Sequence, residues 1–357
     1  MHVHDLAEDW RPTVYPRSGY PDGAAWAVIN GRDAEALRAS GAGVVSLLPD
    51  AVFSAEQLEA YEKRRHEGVK AREARVEDGQ ATVLYPVRGI RRKNLGESLL
   101  LSLFLDHGME LAVTLPPNSP RDLPYYDSWR SLATRLSAPM RFGAGLERSL
   151  GENYERSFAV ATTSIKEGFG LSFLEPVVRG YAVLGRRIGH IALDLAVRGV
   201  SLPGLYDAIA VPGRLYDARA MRSRARAAVL RCGVAYGLDD GGERLASEVE
   251  ALYGDGVDFG RLDEAAQSEV LLSVSSSAAA RSDMTAVNSF LEGWASGPLN
   301  GIAPSTQVLA AWSEEAYGAN LEAIYRSLLE GRVGAAPSRS ALLECYLEGT
   351  SFHAVGL

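Results

Sequence analysis

Two carboxylates and two glycines lie close together near the middle of the chain. Glu167 is followed directly by Gly168, Phe169 and Gly170, and Glu175 comes eight residues after Glu167. Glycines allow the backbone to turn sharply and to approach a ligand closely. A loop of this kind ahead of a helix presents free backbone N–H groups, which can bind a phosphate or a polar sugar. The pattern therefore predicts a ligand-binding loop that is framed by Glu167 and Glu175.

The residues around this loop predict a strand, a helix and a second strand. Phe158 to Ala161 is a short apolar run that favours a buried strand, and Thr162 to Ser164 ends it. Leu171 to Val178 has helical spacing, and Tyr181 to Leu184 is the second predicted strand. The loop is thus expected to join the end of a strand to the N-terminus of a helix, where the helix dipole favours an anionic ligand.

This segment resembles the Glu-x7-Glu signature of retaining GT-B glycosyltransferases of the family 4 type. The matching residues are Glu167-Gly-Phe-Gly-Leu-Ser-Phe-Leu-Glu175. In that family the second glutamate binds the nucleotide ribose, a role that the resemblance places on Glu175. The resemblance also implies that the donor sugar hydroxyls are held by Glu167 and by the backbone N–H groups of Gly168, Phe169, Gly170 and Leu171. The alternative interpretation is a helix cap at Glu167 and a solvated carboxylate at Glu175.

A basic turn precedes this segment in the chain. Arg88 and Lys93 are five residues apart and follow the predicted strand Thr82 to Val87. In the family that the chain resembles, an Arg and a Lys at this spacing clamp the donor diphosphate, whose negative charge grows as the glycosidic bond breaks. The resemblance therefore assigns Arg88 and Lys93 to the leaving group. Arg91 and Arg92 are alternatives to Arg88, but the spacing favours Arg88.

The first 77 residues predict a small α/β domain. Strands are expected at Ala24 to Asn30 and at Val44 to Leu48, with a helix at Asp33 to Ser40 between them, and such alternation is typical of parallel sheets. The segment resembles the second half of a GT-B N-terminal domain, so the first half is expected to be absent. A short form, a truncated gene and a wrongly chosen start codon all remain open. The charged stretch from residue 54 to 80 predicts a helix that leads into the inter-domain linker.

His4 is a further candidate catalytic residue. Its position before Asp5 in the sequence HVHD resembles that of the family histidine that lies beside the donor sugar and the acceptor. A surface or capping histidine is the alternative interpretation. The HxHD spacing is also compatible with a metal site, but no other cluster of ligands in the sequence supports one. We therefore expect no metal.

The expected fold is α/β of the GT-B type, with two Rossmann-like domains of which the first is incomplete. Residues 1–77 would form the partial N-terminal domain and residues 78–300 the domain that binds the nucleotide sugar. Residues 301–357 would form a helix and tail that cross back onto the first domain. Ser305 to Leu329 is amphipathic and predicts a single helix with Ser305 as its N-cap.

Composition excludes several classes of protein. The chain has 357 residues, 46% hydrophobic and 23% charged, and a formal net charge of −8, so no overall basic field indicates a nucleic-acid partner. No apolar run is long enough to span a bilayer, and the first residues, MHVHDLAEDW, lack the apolar core of a signal peptide. Cys232 and Cys345 alone form neither a disulfide framework nor a metal cluster. We expect a cytoplasmic protein.

These features predict a retaining, metal-independent hexosyltransferase that needs no cofactor. Its donor would be a nucleoside-diphosphate sugar, with UDP-glucose as the commonest type in the family, and its acceptor is not identified. The alternative is a non-catalytic or split-enzyme donor-binding subunit that needs a partner chain. An incomplete first sheet would leave an exposed edge, which favours a homo-oligomer or such a partner. A dinucleotide-dependent dehydrogenase is a poor alternative, because no G-x-G-x-x-G opens an early βαβ unit.

Overall fold

The computed structural model describes residues 1–4, 6, 10, 19–64, 81–296 and 304–355. Within these residues the strands form two parallel sheets and one antiparallel pair. The strands are β1 (His2–Val3), β2 (Trp26–Val28), β3 (Val45–Leu47), β4 (Ala81–Arg88), β5 (Met109–Leu115), β6 (Met140–Phe142), β7 (Ser157–Thr162), β8 (Ala182–Arg186), β9 (Leu205–Tyr206), β10 (Ala210–Val211) and β11 (Val257–Asp258).

The larger sheet has the strand order β6-β5-β4-β7-β8-β9 and is parallel throughout. The chain enters it at β4, adds β5 and β6 on one side, and then returns to add β7, β8 and β9 on the other. The smaller sheet has the order β1-β2-β3 and is also parallel. Parallel strands joined through helices define the α/β class, so the predicted class is confirmed.

Helices follow most of the strands. They are α1 (Gly31–Ala39), α2 (Ala55–Arg64), α3 (Leu95–Ser102), α4 (Leu123–Arg135), α5 (Ala144–Glu147), α6 (Leu150–Glu155), α7 (Leu171–Val178), α8 (Gly189–Val197), α9 (Ala218–Tyr236), α10 (Glu243–Leu252), α11 (Glu264–Ser276), α12 (Ala278–Val287), α13 (Thr306–Leu309), α14 (Glu314–Leu329) and α15 (Arg339–Tyr346). Every residue of β7 and every residue of α3 is buried. This burial is expected for a parallel sheet that helices cover on both faces.

The elements around the glycine loop agree with the sequence prediction. The predicted strand at Phe158 to Ala161 is the inner part of β7, and α7 has the predicted bounds. β8 begins one residue after the predicted Tyr181. The prediction of β7 succeeds because a strand that is buried on both faces of a parallel sheet is a continuous apolar run in the sequence.

The prediction of one helix from Ser305 to Leu329 is wrong. Ser305 does cap a helix, but this helix, α13, ends at Leu309, and a separate helix, α14, begins at Glu314. The break occurs because Trp312 is buried and its carbonyl oxygen accepts hydrogen bonds from the N–H groups of Val52 and Phe53. Ser313 then caps α14, which has no fully buried residue. The tertiary contact of Trp312 therefore overrides the local helical pattern.

The last helix, α15, packs against the smaller sheet. Leu342 and Tyr346 of α15 are buried in the same cluster as Trp26 of β2 and Leu37 of α1. Ahead of this helix, the carbonyl oxygen of Ala335 accepts a hydrogen bond of 3.1 Å from the N–H of Gly43. The C-terminal segment therefore completes the core of the smaller sheet.

A buried network of charges ties the larger sheet to the helices that follow it. The guanidinium of Arg186, at the end of β8, donates to Glu97 at 2.6 and 2.8 Å and to both carboxylate oxygens of Asp258 at 2.8 Å. The hydroxyl of Tyr206 donates to Glu97 at 2.6 Å. Burial alone would lower the pKa of Arg186, but the two carboxylates outweigh burial and hold that pKa well above its ordinary value.

Among the residues that the structure describes, no helix has both the length and the apolar character needed to cross a bilayer. The charged helix predicted from residue 54 to 80 is present as α2 up to Arg64. The rest of that prediction, from residue 65 to 80, lies outside the described residues.

Candidate functional site

The larger sheet changes direction between its two central strands. β4 and β7 are hydrogen-bonded neighbours, but the strands that follow each of them extend to opposite sides of the sheet. The loops after β4 and β7 therefore lie at the point where the sheet changes direction. In open parallel sheets such a switch point is where ligands bind. The basic turn and the glycine loop are these two loops.

Glu167 joins the two loops. One of its carboxylate oxygens pairs with the ammonium of Lys93 and the other with the guanidinium of Arg92. Glu167 is only 7% exposed and Lys93 only 8%. Two cations and one carboxylate are thus concentrated at the switch point, with positive charge in excess.

Backbone contacts fix the position of the two cations. Arg92 and Lys93 belong to a short 3-10 turn that ends at Asn94, which adopts a left-handed conformation with φ of 49°. The carbonyl oxygen of Lys93 accepts hydrogen bonds from the hydroxyls of Tyr85 at 2.8 Å and Thr163 at 2.9 Å. Strands β4 and β7 therefore hold the turn from both sides, and Lys93 is directed at Glu167.

The surrounding charges keep Glu167 ionised. Burial alone would raise the pKa of its carboxyl group, because a charged group is poorly stabilised away from water. The positive charges of Lys93 and Arg92 outweigh burial, so the pKa of Glu167 lies below its ordinary value. At neutral pH this carboxylate is an acceptor that can hold a hydroxyl group, and the two cations are oriented around it.

The N-terminus of α7 lies at the end of the glycine loop. Gly170 is the N-cap residue of α7 and has no side chain, so no side chain of the cap residue satisfies the first N–H groups of the helix. Leu171, the first residue of the helix, is half-exposed. Phe169 is half-buried and packs against the apolar cluster of α7 and α8. The predicted sugar-binding N–H groups are therefore held in a loop with a fixed geometry.

Glu175 lies one turn into α7, on the same face as Leu171. Its carboxylate accepts hydrogen bonds of 3.0 and 3.1 Å from the guanidinium of Arg179, which in turn stacks over the ring of Tyr154 at 4.7 Å. The side chain is partly exposed. Its predicted contact with a ribose stays a prediction.

The smaller sheet meets the glycine loop at its own carboxyl edge. Asn30 follows β2, and its amide donates a hydrogen bond of 2.9 Å to the carbonyl oxygen of Gly168. The N–H of Gly31, at the start of α1, donates to Asp194 of α8 at 2.8 Å. Next to these contacts, a ring nitrogen of His190 lies 3.1 Å from the carbonyl oxygen of Glu167. Both sheets therefore direct their carboxyl edges at one loop.

Arg88 and His4 each contact another side chain, outside the ion pair of Glu167 and Lys93. The guanidinium of Arg88 donates a hydrogen bond of 2.7 Å to the side chain of Asn118, in the turn after β5. His4 follows β1, at the same edge of the smaller sheet as Asn30, and its Nδ1 lies 3.4 Å from Asp50. The structure thus brings together Lys93, Arg92, Glu167 and the glycine loop. The assignment of Arg88 to the diphosphate stays a prediction.

Sequence reasoning gives no task to Asn30 or His190, and it names Arg92 only as an alternative to Arg88 at the diphosphate. The contact of Arg92 with Glu167 spans 75 residues of chain, so local spacing does not indicate it. Asn30 carries one local signal, since its side chain accepts from the N–H of Asp33 and caps α1. Nothing in the sequence indicates its second contact, with Gly168.

No family model matches this chain, and no curated protein matches it. One matching solved structure is the α,α-trehalose 6-phosphate synthase of Burkholderia multivorans, with 13% sequence identity and a TM-score of 0.42. The match covers 85% of this chain and 60% of that one, so the chain spans less than two thirds of its length. A likeness at this level assigns no activity to this chain.

Proposed function

We propose that this chain is a retaining glycosyltransferase of the GT-B type. It would transfer a sugar from a nucleoside-diphosphate sugar, of the UDP-glucose kind, to an acceptor that is not identified. The observation that carries this proposal is the position of Glu167, held between Lys93 and Arg92 at the switch point of a parallel sheet. The two-sheet arrangement supports it, because both carboxyl edges contact the glycine loop.

The cations would stabilise the leaving group. As the bond between the anomeric carbon and the diphosphate oxygen breaks, negative charge develops on that oxygen. Lys93 would balance it together with Arg88, as the sequence predicts, or with Arg92, as the contacts suggest. The open N-terminus of α7 would add its positive dipole end. These groups can stabilise the negative charge of the leaving diphosphate in place of a metal ion, so the proposed reaction is metal-independent.

Glu167 and the glycine loop would position the sugar. The carboxylate of Glu167 and the N–H groups from Gly168 to Leu171 would hold its hydroxyls, while Glu175 would hold the ribose. The acceptor hydroxyl oxygen would form its bond to the anomeric carbon on the face that the diphosphate leaves. Its proton would pass to the departing phosphate oxygen. No general base is needed, and His4 would lie beside the donor and the acceptor.

A thermal-shift panel of UDP-, GDP- and ADP-glucose tests the proposal. A ligand at a hundred times its Kd stabilises the folded chain by about 2.7 kcal/mol, which a melting curve detects. We expect one base to shift the wild type strongly and the Lys93→Ala variant weakly. Equal shifts in wild type and variant, or no shift with any of the three, would exclude a donor site at Lys93.

The second candidate is a donor-binding subunit that needs a partner chain. The observation that favours it is the smaller sheet, which has three strands among the described residues. In this proposal residues 78–300 bind the donor, and residues 1–77 with 301–357 are completed by a partner or by a second copy. The packing of α15 on the smaller sheet supports the opposite outcome, in which the C-terminal segment of the same chain covers this sheet. Light scattering combined with a transfer assay distinguishes them: a monomer with robust transfer rules out the subunit.

A further inference from the structure

We propose that His2, His4 and Asp50 form a binding site for a divalent transition metal ion of the zinc class. These three side chains offer two imidazole nitrogens and one carboxylate oxygen, and the ligand atoms all lie within 4.8 Å of one another. This inference concerns binding alone. It does not depend on the proposed transfer reaction.

The fold explains why the three side chains meet. His2 and His4 are two residues apart on an extended segment, so they project to the same side. β1 pairs in parallel with β2, with His2 opposite Ala27. The turn that carries Asp50 is held over β2 by a hydrogen bond of 2.7 Å from the N–H of Leu48 to the carbonyl oxygen of Val28. Asp50 follows β3, on the other side of β2 from β1, and its side chain lies beside His4.

The distances suit a tetrahedral ion. With metal–ligand bonds of 2.0–2.2 Å, neighbouring ligand atoms around such an ion are about 3.4 Å apart. Nδ1 of His4 and the carboxylate oxygen of Asp50 are already 3.4 Å apart. The rings of His2 and His4 have centroids 4.4 Å apart and planes inclined at 47°, so they are not stacked flat. Rotation of the exposed His2 side chain can close the remaining gap.

The ligand set determines the class of ion. Imidazole suits Zn²⁺ and other late first-row metals, whereas Mg²⁺ and Ca²⁺ prefer oxygen ligands alone. Three protein ligands leave the fourth tetrahedral position to water, because both histidines are exposed. From the sequence we expect no metal, although the HxHD spacing is compatible with one. Nothing in the sequence links Asp50, 46 residues after His4, to the two histidines.

Titration calorimetry of the full chain with ZnCl₂ tests the site, with MgCl₂ as the comparison ion. We expect one Zn²⁺ per chain, and a loss of affinity of at least about tenfold in each of His2→Ala, His4→Ala and Asp50→Asn. The controls are His107→Ala, an exposed histidine in a distant turn, and Cys345→Ser, an exposed thiol. Both controls should bind like the wild type.

The readout is independent of enzymatic activity and of folding defects. All three substitutions fall at positions that are not fully buried, and unchanged melting curves in EDTA would show that the variants fold. Absence of stoichiometric Zn²⁺ binding by the wild type would overturn the proposal. Retention of Zn²⁺ by any of the three variants would do so too, as would equal loss in a control.

Discussion

Glu167 and Lys93 are 74 residues apart in the chain and form a buried ion pair in the structure. The pair connects the loop after β7 to the loop after β4, the two central strands of the larger sheet. It holds a carboxylate and an ammonium at the point where the sheet changes direction. The predictions on donor use depend on this pair.

The two glutamates should be needed for donor use. Glu167→Gln keeps the shape of the side chain but removes the charge, and Glu175→Ala removes the proposed ribose contact. We expect each to lower kcat/KM for the donor by about tenfold or more, since a lost charge-assisted hydrogen bond is worth about 1.5–3 kcal/mol. Steady-state kinetics and a melting curve measure the two effects separately. Glu322→Gln, on the exposed surface of α14, is the control, and normal donor affinity and turnover in both variants would contradict the assignment.

The cations should differ in their contribution to diphosphate binding. We expect Lys93→Ala and Arg92→Ala each to weaken binding of the nucleoside diphosphate by about tenfold or more. Each substitution removes a positive charge at the switch point, where the diphosphate is proposed to bind. Arg88→Ala should have a smaller effect, since Arg88 is engaged with Asn118. Calorimetry with UDP, GDP and ADP measures the affinities, with Arg121→Ala as the control. A dominant loss in Arg88→Ala would favour the assignment made from spacing.

Transfer should continue in EDTA. The proposed reaction balances the leaving charge with Lys93, an arginine and the N-terminus of α7, so it requires no divalent ion. An assay of sugar transfer with and without EDTA should give equal rates. Activity that disappears with EDTA and returns with magnesium or manganese would count decisively against this mechanism.

Arg186 should be important for stability. Its substitution by Met would leave Glu97, which is fully buried, without its positive partner. Breaking a buried pair from one side costs about 3–5 kcal/mol, and urea denaturation should show a loss of that size. The control is Arg326→Ala, an exposed pair with Glu322, which should cost less than about 1 kcal/mol. Similar losses in both variants would mean that the network adds little.

His353 should make stability depend on pH. Burial, aided by the charges of Arg261 and Arg186, lowers the pKa of its imidazole from 6.5 to about 4 in the folded chain. Between these values the unfolded chain binds more protons, so the free energy of unfolding rises with pH. The stability present above pH 6.5 is lost as the pH falls towards 4, by up to about 3 kcal/mol.

Denaturation curves at several pH values check this effect against the variant His353→Asn, which has no titrating ring. The carboxyl group of Glu167 has a lowered pKa and also loses stabilisation at acid pH, so the wild type alone does not isolate the histidine. We expect a shallower pH dependence in the variant between pH 4 and 6.5. Parallel curves for the two proteins would show that His353 titrates normally.

The sequence by itself determined the local elements around the loop. The apolar run at Phe158 to Ala161, the two glycines and the helical spacing from Leu171 to Val178 are all short-range patterns, and β7 and α7 follow them closely. Such patterns suffice because a buried parallel strand and a helix with an apolar face each have a characteristic period. The α/β class follows from their alternation along the chain.

Only the tertiary structure decided which side chains meet. Arg92 contacts Glu167 because the 3-10 turn, fixed by Tyr85 and Thr163, directs it there. The local pattern predicts one continuous helix through Trp312, but the helix is interrupted there. The carbonyl oxygen of Trp312 instead accepts a hydrogen bond from the N–H of Val52. Ion pairs and backbone contacts between distant segments depend on the register and direction of strands, which residue periodicity does not encode.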